Sequence, residues 1–433
     1  MPFLPAKPTS LTNGDFVFLA LVCAIYCLYF HPLSRFPGPT TSAISRIPLA
    51  LRQYRGRPHV EIAELHHKYC NIVRIAPDQL SFQNLDAWKD IYGHRKGGAG
   101  ENSKDPRRQV LSKNNLLGAD RENHSLFRRS LAHGFSAQAI AEQQPLINKY
   151  IDLLIKRLHE NAGNPVNMVS WYNWTTLDII GDLSVGEPFG CLKKPQSHFW
   201  VTTIFGSLKY LSYVRHIEYF PLFKFLSPFL IPKELQRQQN AHYIDALMSR
   251  KPGTRPITQL DIIDHAAVLV IAGSQTTATT LSGTTYLLCK HPHVLSKLQA
   301  EVQSNFSSED EIDFNSVSRL PCTMAVLNES LRIYPPVAVS STHVTPPEGG
   351  VICSEPIPGN TYIDIFHWPT YRNSQYFVEP NSFIPERFLG IDPRLANDKL
   401  DLNCIGKNLA YLESRLVLAR IVYNFDMELS RQS

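Results

Sequence analysis

The feature that most constrains this chain is a long apolar helix in its second half. Residues 264–290, DHAAVLVIAGSQTTATTLSGTTYLLCK, have helical apolar spacing, and a capping box at residues 258–261, TQLD, marks the start. Between Ala266 and Ala272 the segment is apolar nearly all round. A helix of that kind is buried on every side. We therefore expect it to cross the centre of a large, mainly helical molecule.

The rest of the sequence fits one large domain preceded by a short N-terminal segment. Its 433 residues contain no internal repeat and no long Gly/Ser linker. The apolar content of 43% suffices for a buried core, and the net charge of +5 is spread without the basic clusters that nucleic-acid binding needs. The eight cysteines lack the spacing of disulfide or zinc sites, which favours a reducing compartment.

Apolar spacing and turn residues predict the elements of this domain. The turn at Pro77 and Asp78 separates two short alternating segments, as in a β-hairpin. Helices are expected over residues 59–69, 121–135, 138–161, 171–185 and 198–211 and from Pro321 onward, and strands over residues 71–76, 79–82 and 362–366. The predicted fold class is mainly α with small β-sheets.

An uncharged apolar run near the N-terminus predicts a membrane anchor. Residues 16–30, FVFLALVCAIYCLYF, fall slightly short of the roughly 20 residues that cross a bilayer. A cleaved signal peptide and a buried helix are the alternatives. The anchor, over residues 1–30, is favoured because a Pro- and Arg-rich hinge over residues 31–57 follows instead of a cleavage site. Residues 220–231, FPLFKFLSPFLI, are expected to be core or a second membrane-contacting patch.

Residues that carry chemistry follow the central helix. Glu329 and Arg332 share a helical face in NESLR, although such a pair alone is usually a surface salt bridge. Arg387 in PERF adds a second arginine. Cys404 stands just ahead of a long apolar helix in NCIGKNLA, where the helix dipole favours a thiolate that can ligate iron. The alternative for Cys404 is a buried free cysteine.

The chain contains four motifs in the order typical of one family: AGSQTT, ExxR, PERF and NCIGKNLA. In this it resembles the cytochrome P-450 haem-thiolate monooxygenases. Within that family it is similar to fungal secondary-metabolism members such as the trichothecene hydroxylases. The resemblance implies the P-450 fold over residues 58–433 and insertion of one oxygen atom from dioxygen into an apolar small molecule, a terpenoid or polyketide. It also implies electrons from NADPH through a flavoprotein reductase, at the endoplasmic reticulum membrane. Arg35 and Arg46 follow the apolar run and only Lys7 precedes it, which indicates a body that faces the cytosol.

The resemblance also implies roles for individual residues. Cys404 is expected to be the axial ligand of the haem iron, and Glu329, Arg332 and Arg387 the structural triad behind it. On the central helix, Gly273 is expected to leave room beside the dioxygen position, and Thr276 to form a hydrogen bond there. Gln275 replaces the family's usual carboxylate, so protons are expected to arrive through water. The expected donors to the haem propionates are His124, Arg128 and, in place of an arginine, His343.

Three departures from the family leave an alternative function open. The FxxGxR stretch that precedes the ligand cysteine is absent, because Asp398-Lys-Leu-Asp-Leu402 joins Asn403 and Cys404 directly. The sequence is short between residues 246 and 257, and the domain is expected to be truncated before the family's terminal hairpin. The alternative is a haem-poor, P-450-like membrane protein that binds ligands or partners without catalysis. A helical transport or scaffold protein is a third interpretation.

Overall fold

A computed structural model describes residues 13–93, 100–106, 115–195, 259–395 and 404–430. The chain forms two compact units, Met1–Asp105 with Val339–Pro369, and Pro106–Ala338 with Thr370–Ser433. Each unit is described by itself. The predictions for residues 198–211, 220–231 and 246–257, for the start of the capping box at Thr258 and for the missing loop before Asn403 lie outside the described residues.

The first described element of the first unit is an apolar helix with many exposed side chains. This helix, α1 (Asn13–Ile25), continues into a π-helical turn, Tyr26–Phe30. Phe18 is 70% exposed, and Tyr29 and Phe30 are each 71% exposed. Among the described residues, no helix combines the length and the apolar character that a membrane crossing requires. The anchor over residues 1–30 therefore stays a prediction.

A five-stranded sheet is the centre of the first unit. Its strand order is β1-β2-β7-β4-β3, with β2 and β7 parallel and the other neighbours antiparallel, and β5 and β6 form a separate hairpin. The helices are α2 (Thr40–Ile44), α3 (Ile47–Tyr54), α4 (Pro58–Lys68) and α5 (Asp86–Tyr92), and the strands are β1 (Ile72–Ala76), β2 (Gln79–Phe82), β3 (Ser103–Lys104), β4 (His343–Val344), β5 (Gly350–Ile352), β6 (Glu355–Ile357) and β7 (Tyr362–Ile365). The hairpin prediction is confirmed, because β1 pairs antiparallel with β2.

The described part of the second unit is helical. Its helices are α6 (Arg121–Ala132), α7 (Ala137–Glu160), α8 (Met168–Val185), α9 (Gln259–Lys290), α10 (Pro292–Asn305), α11 (Phe314–Val317), α12 (Pro321–Ile333) and α13 (Lys407–Asn424), and a further short helix, His367–Thr370, spans the sequence junction between the units. The core lies among α7, α8, α9, α10, α12 and α13. The predicted helices over residues 121–135, 138–161 and 171–185 and the helix from Pro321 are confirmed to within a few residues.

The central helix α9 exists as predicted, but it is not buried on every side. Val270, Ser274, Ala278 and Leu281 are buried at helical spacing, whereas Ala272 is exposed. The reason is that α9 packs on α8 through one face, where Val270 joins Leu177 and Ile180 of α8. The prediction of burial all round is therefore wrong for this part of the helix.

Side-chain caps fix where the helices that carry candidate residues begin. Asp120 accepts a hydrogen bond from the backbone N–H of Asn123 at 3.0 Å and starts α6. At α12, where Pro321 occupies the first turn, the carboxylate of Glu301 on α10 accepts the N–H groups of Cys322 and Thr323 at 2.7 and 2.8 Å. These caps set the start, and hence the register, of both helices.

Candidate active site

Cys404 lies at the start of the buried helix α13. Its carbonyl oxygen accepts a hydrogen bond from the backbone N–H of Lys407, the first residue of α13, at 3.3 Å. The thiol is free and exposed. Behind it, α13 is anchored in the core by a continuous set of buried side chains, Leu409, Leu416, Val417, Leu418, Ile421 and Val422. The structure thus presents an exposed sulfur three residues before a helix that is anchored in the core.

Glu329, Arg332 and Arg387 form one buried network, and none of their side chains is exposed. The guanidinium of Arg332 donates from Nε and Nη2 to the two carboxylate oxygens of Glu329, each at 2.7 Å. Arg387 Nε donates to Glu329 Oε1 at 3.2 Å. Burial of this kind requires that every charge is paired. Glu329 and Arg332 therefore do not form a surface salt bridge. Their burial with Arg387 fits the interpretation of the three residues as a structural triad.

The same network ties distant backbone segments to α12. Arg332 Nη1 donates to the carbonyl oxygens of Tyr371 and Pro380, at 2.7 and 2.6 Å, and its Nη2 donates to that of Ser382 at 3.0 Å. Glu329 also accepts the backbone N–H of Ile384 at 2.8 Å. The triad therefore fixes residues 371–387 on the helix that carries Glu329 and Arg332. These residues stabilise the fold of the unit in which Cys404 lies.

Gly273 lies at a close approach between α9 and α8. A Cβ atom at this position would stand 2.9 Å from both Cγ1 and Cδ1 of Ile180 on α8. Such a distance is too short for real side chains, so either Ile180 or one of the helices would have to move. The described contact is a packing of two helices. The role of Gly273 beside dioxygen stays a prediction.

Thr276 and Gln275 lie next to each other on α9 with their polar groups engaged. The Thr276 hydroxyl donates to the carbonyl oxygen of Ala272 at 2.6 Å, which leaves its oxygen lone pairs as acceptors. Gln275 Nε2 donates to Oδ1 of Asn173 on α8 at 2.7 Å. Asn173 in turn donates from Nδ2 to the carbonyl oxygen of Val169 at 2.8 Å. The amide of Gln275 is therefore held by α8.

The predicted propionate donors do not all belong to one unit. His124 and Arg128 lie four residues apart on α6, with His124 half-buried and Arg128 exposed, so they share a face as expected. His343 is in β4 of the first unit. There its Nδ1 lies 3.0 Å from the carbonyl oxygen of Ser341, and its ring meets that of Tyr92 edge-on at 4.8 Å. The propionate role of all three stays a prediction.

Two residues of the second unit were missed by sequence reasoning. Asn173, the partner of Gln275, carries no local sequence signal for that contact. Glu413 lies in α13, nine residues after Cys404, and is only 5% exposed, with no hydrogen-bond or ion-pair partner among the described residues. Burial raises the pKa of the Glu413 carboxyl to about 8. A glutamate inside an otherwise apolar helical face was the signal that could have identified it.

The sequence matches the profile of one family over nearly its whole length, residues 37–234 and 230–433, and that profile describes cytochrome P-450. The chain belongs to the cytochrome P-450 family. A trichothecene C-15 hydroxylase of Fusarium sporotrichioides is 40% identical over 98% of this chain and 93% of its own length. An averantin hydroxylase of Dothistroma septosporum is 38% identical over 96% and 84%, and a cytochrome P-450 monooxygenase of Talaromyces wortmannii is 37% identical over 94% and 89%.

Members of the cytochrome P-450 family carry haem with a cysteine thiolate on the iron and receive electrons from NADPH through a reductase. The residues of this chain fit such a group. Haem would need a single protein ligand to its iron, which a cysteine thiolate would supply. The described residues offer no cluster of three or more His, Cys, Asp or Glu for a metal held by protein alone, but they do offer the exposed sulfur of Cys404.

Proposed function

We propose that this cytochrome P-450 is a monooxygenase of fungal secondary metabolism that inserts one oxygen atom into an apolar terpenoid or polyketide, with Cys404 as the iron ligand. The observation that carries the proposal is the position of Cys404, an accessible thiol at the start of the buried helix α13. The relatives that act on trichothecene and averantin support the substrate class.

The chain's own residues divide the work between holding the cofactor and handling protons. When bound, haem supplies the oxygen activation. Cys404 would hold the haem iron through its sulfur, and His124, Arg128 and His343 would donate hydrogen bonds to the propionates. The Thr276 hydroxyl would accept a hydrogen bond from water through its oxygen, because its own hydrogen is donated to the carbonyl oxygen of Ala272. Gln275 cannot ionise, so water held by Thr276 would deliver the protons.

The membrane and the reductase enter as further parts of the proposal. The exposed apolar side chains of α1 and of the turn Tyr26–Phe30 support an anchor at the N-terminus. The arginines after this segment, against Lys7 before it, support a body that faces the cytosol from the endoplasmic reticulum. There a flavoprotein reductase would supply electrons from NADPH.

A second candidate function is a haem-poor relative without catalysis. Its support is the direct junction of Leu402 and Asn403, where the family's FxxGxR stretch is absent. The alignment with the trichothecene hydroxylase extends over 458 residues, more than the 433 of this chain, so it contains gaps in this chain. A loop that shields the sulfur and binds a propionate would normally strengthen haem binding.

One experiment separates the two candidates. The full-length chain, and the same chain with FSFGPR inserted between Leu402 and Asn403, are purified in parallel with haem supplied during expression. Each is incubated with NADPH, a fungal reductase, ¹⁸O-labelled dioxygen and a panel of terpenoids and polyketides. One labelled oxygen atom in a product of the natural chain supports the monooxygenase. No product and little haem in the natural chain, with both restored by the insertion, would establish the haem-poor relative.

A further inference from the structure

The first unit contains a cavity of about 200 Å³ that the proposed reaction does not use. Arg74 of β1 lines it together with the apolar side chains of Leu28, Phe36 and Ala43 and the hydroxyl residues Ser34 and Thr40. The hydroxyl groups of Ser34 and Thr40 have no hydrogen-bond partner among the described residues. A buried arginine, two hydroxyl residues and an apolar wall thus line one space.

Arg74 is a buried cation that is held only by neutral groups. Its residue surface is 2% exposed. Its Nε and Nη2 donate to the carbonyl oxygen of Pro77 at 3.1 and 2.6 Å, and its Nη1 donates to that of Cys27 at 2.8 Å. These bonds occupy three of the five N–H groups of a guanidinium. Two N–H groups are left for a ligand.

The carboxylate of Asp78 acts on the charge of Arg74 without forming an ion pair with it. Asp78 forms an ion pair with Arg46, which also donates to Oε1 of Gln79 at 2.8 Å. Among the described residues, Arg74 forms no ion pair with a carboxylate. A buried guanidinium that forms no direct ion pair is costly, and an anion in the cavity would lower that cost. The charge of Arg74 therefore favours a negatively charged ligand in the cavity.

The wall of the cavity continues into the exposed apolar segment. Leu28, and the carbonyl of Cys27 that holds Arg74, belong to the π-helical turn Tyr26–Phe30. The next two residues, Tyr29 and Phe30, are each 71% exposed. A ligand with an anionic head and apolar chains matches both surfaces, because the head can reach Arg74 while the chains cover the apolar segment.

We propose that this cavity binds the phosphate group of an anionic membrane phospholipid. Arg74 donates its two remaining N–H groups to phosphate oxygens, Ser34 and Thr40 add hydroxyl donors, and Leu28 and Phe36 contact the glycerol and the first methylenes. The site would orient the first unit at the membrane surface. The proposal does not depend on haem or on catalysis, since every group belongs to the first unit.

The test uses the full-length protein and dihexanoyl phosphatidic acid below its micelle concentration, with binding measured by titration calorimetry. Arg74→Gln removes the charge, and Ala43→Leu fills the cavity while Arg74 stays. Arg55→Gln is the matched control, because it removes one charge from an arginine whose side chain is 63% exposed. We expect Arg74→Gln and Ala43→Leu to weaken binding about tenfold or more, and Arg55→Gln less than twofold.

Two results would overturn the proposal. Binding by Ala43→Leu and by Arg74→Gln at the strength of the natural chain would show that lipid binds elsewhere. Inorganic phosphate that binds as tightly as the lipid, and competes with it, would make the cavity a free-phosphate site. If Arg74→Gln does not fold, Ala43→Leu and the double variant Ser34→Ala/Thr40→Val decide, because both keep the buried cation.

Discussion

Gln275 donates from Nε2 to Oδ1 of Asn173 at 2.7 Å, and this bond links α9 to α8 beside Thr276. Asn173 Oδ1 accepts this bond, while Nδ2 of the same amide donates to the carbonyl oxygen of Val169. The orientation of both amides is therefore fixed. At the position where the family resemblance predicts a carboxylate, this chain has a neutral donor that is held by a neighbouring helix.

This relationship predicts two opposite effects of Gln275→Glu. The new carboxylate restores an ionisable group beside Thr276, so we expect a larger share of electrons to reach product. It also places an acceptor against Oδ1 of Asn173, so we expect the unfolding free energy to fall by about 1–3 kcal/mol once the carboxyl ionises. Denaturant unfolding at pH 5 and pH 8, and the ratio of product to NADPH consumed, measure the two effects.

The double variant Gln275→Glu/Asn173→Ala is the control. It removes the opposing acceptor and should recover stability at pH 8 relative to Gln275→Glu. Equal stability of Gln275→Glu and the natural chain at pH 8 would mean that the bond to Asn173 contributes nothing.

Arg332→Lys is expected to destabilise the second unit by about 3 kcal/mol or more. Lysine offers one compact ammonium, which cannot replace the two bonds to Glu329 and the three to backbone carbonyls. Arg157→Lys is the matched control, because Arg157 pairs with Glu160 at the same i, i+3 spacing on the surface. We expect Arg157→Lys to lower the unfolding free energy by less than about 1 kcal/mol. Similar losses of unfolding free energy in Arg332→Lys and Arg157→Lys would show that burial of the triad does not increase its contribution to stability.

Gly273→Ala is expected to lower the unfolding free energy by about 1–3 kcal/mol, because the new methyl group meets Ile180. Adding Ile180→Ala should recover part of the loss by making room. A role of Gly273 beside dioxygen predicts a different result, in which Gly273→Ala keeps its stability and loses turnover. Thermal unfolding and turnover of the same three proteins decide between packing and catalysis.

The buried carboxyl of Glu413 should make the unfolding free energy fall as the pH rises. Its folded pKa of about 8 lies above the ordinary value of 4.5, so the folded state retains a proton that the unfolded chain has released. The contribution of the protonated carboxyl to the unfolding free energy is complete below pH 4.5 and is lost as the pH rises through 8. We expect the stability advantage of Glu413→Gln to grow by up to about 1.4 kcal/mol per pH unit between pH 5 and 8 and then to level off.

The surface variant Glu160→Gln is the control for Glu413→Gln, because the Glu160 side chain is 43% exposed. It should show no such trend. A constant difference between Glu413→Gln and the natural chain across pH 5–8 would place an ionised Glu413 in contact with water.

Sequence patterns predicted the elements that are defined by local chemistry. The turn at Pro77 and Asp78 set the hairpin β1-β2, Pro321 marked the first turn of α12, and the motif order identified the family. These signals lie within a few residues of what they determine. Periodicity and turn geometry therefore sufficed for them.

Contacts between distant segments were not predictable in the same way. Glu301 caps α12 from 21 residues away, and Asn173 holds Gln275 from 102 residues away. Neither partner differs in sequence from an ordinary surface residue. The burial of Glu413 and the incomplete burial of α9 likewise depend on which helix faces pack together, which one sequence does not determine.

The most direct test of the account is the carbon-monoxide difference spectrum of reduced Cys404→Ser, measured beside Cys70→Ser, which removes another exposed cysteine. A serine hydroxyl is a far poorer iron ligand than a thiolate, so we predict that the thiolate-type absorption band of the natural chain disappears in Cys404→Ser and persists in Cys70→Ser. A band that is unchanged in Cys404→Ser would contradict the assignment of Cys404 as the haem ligand.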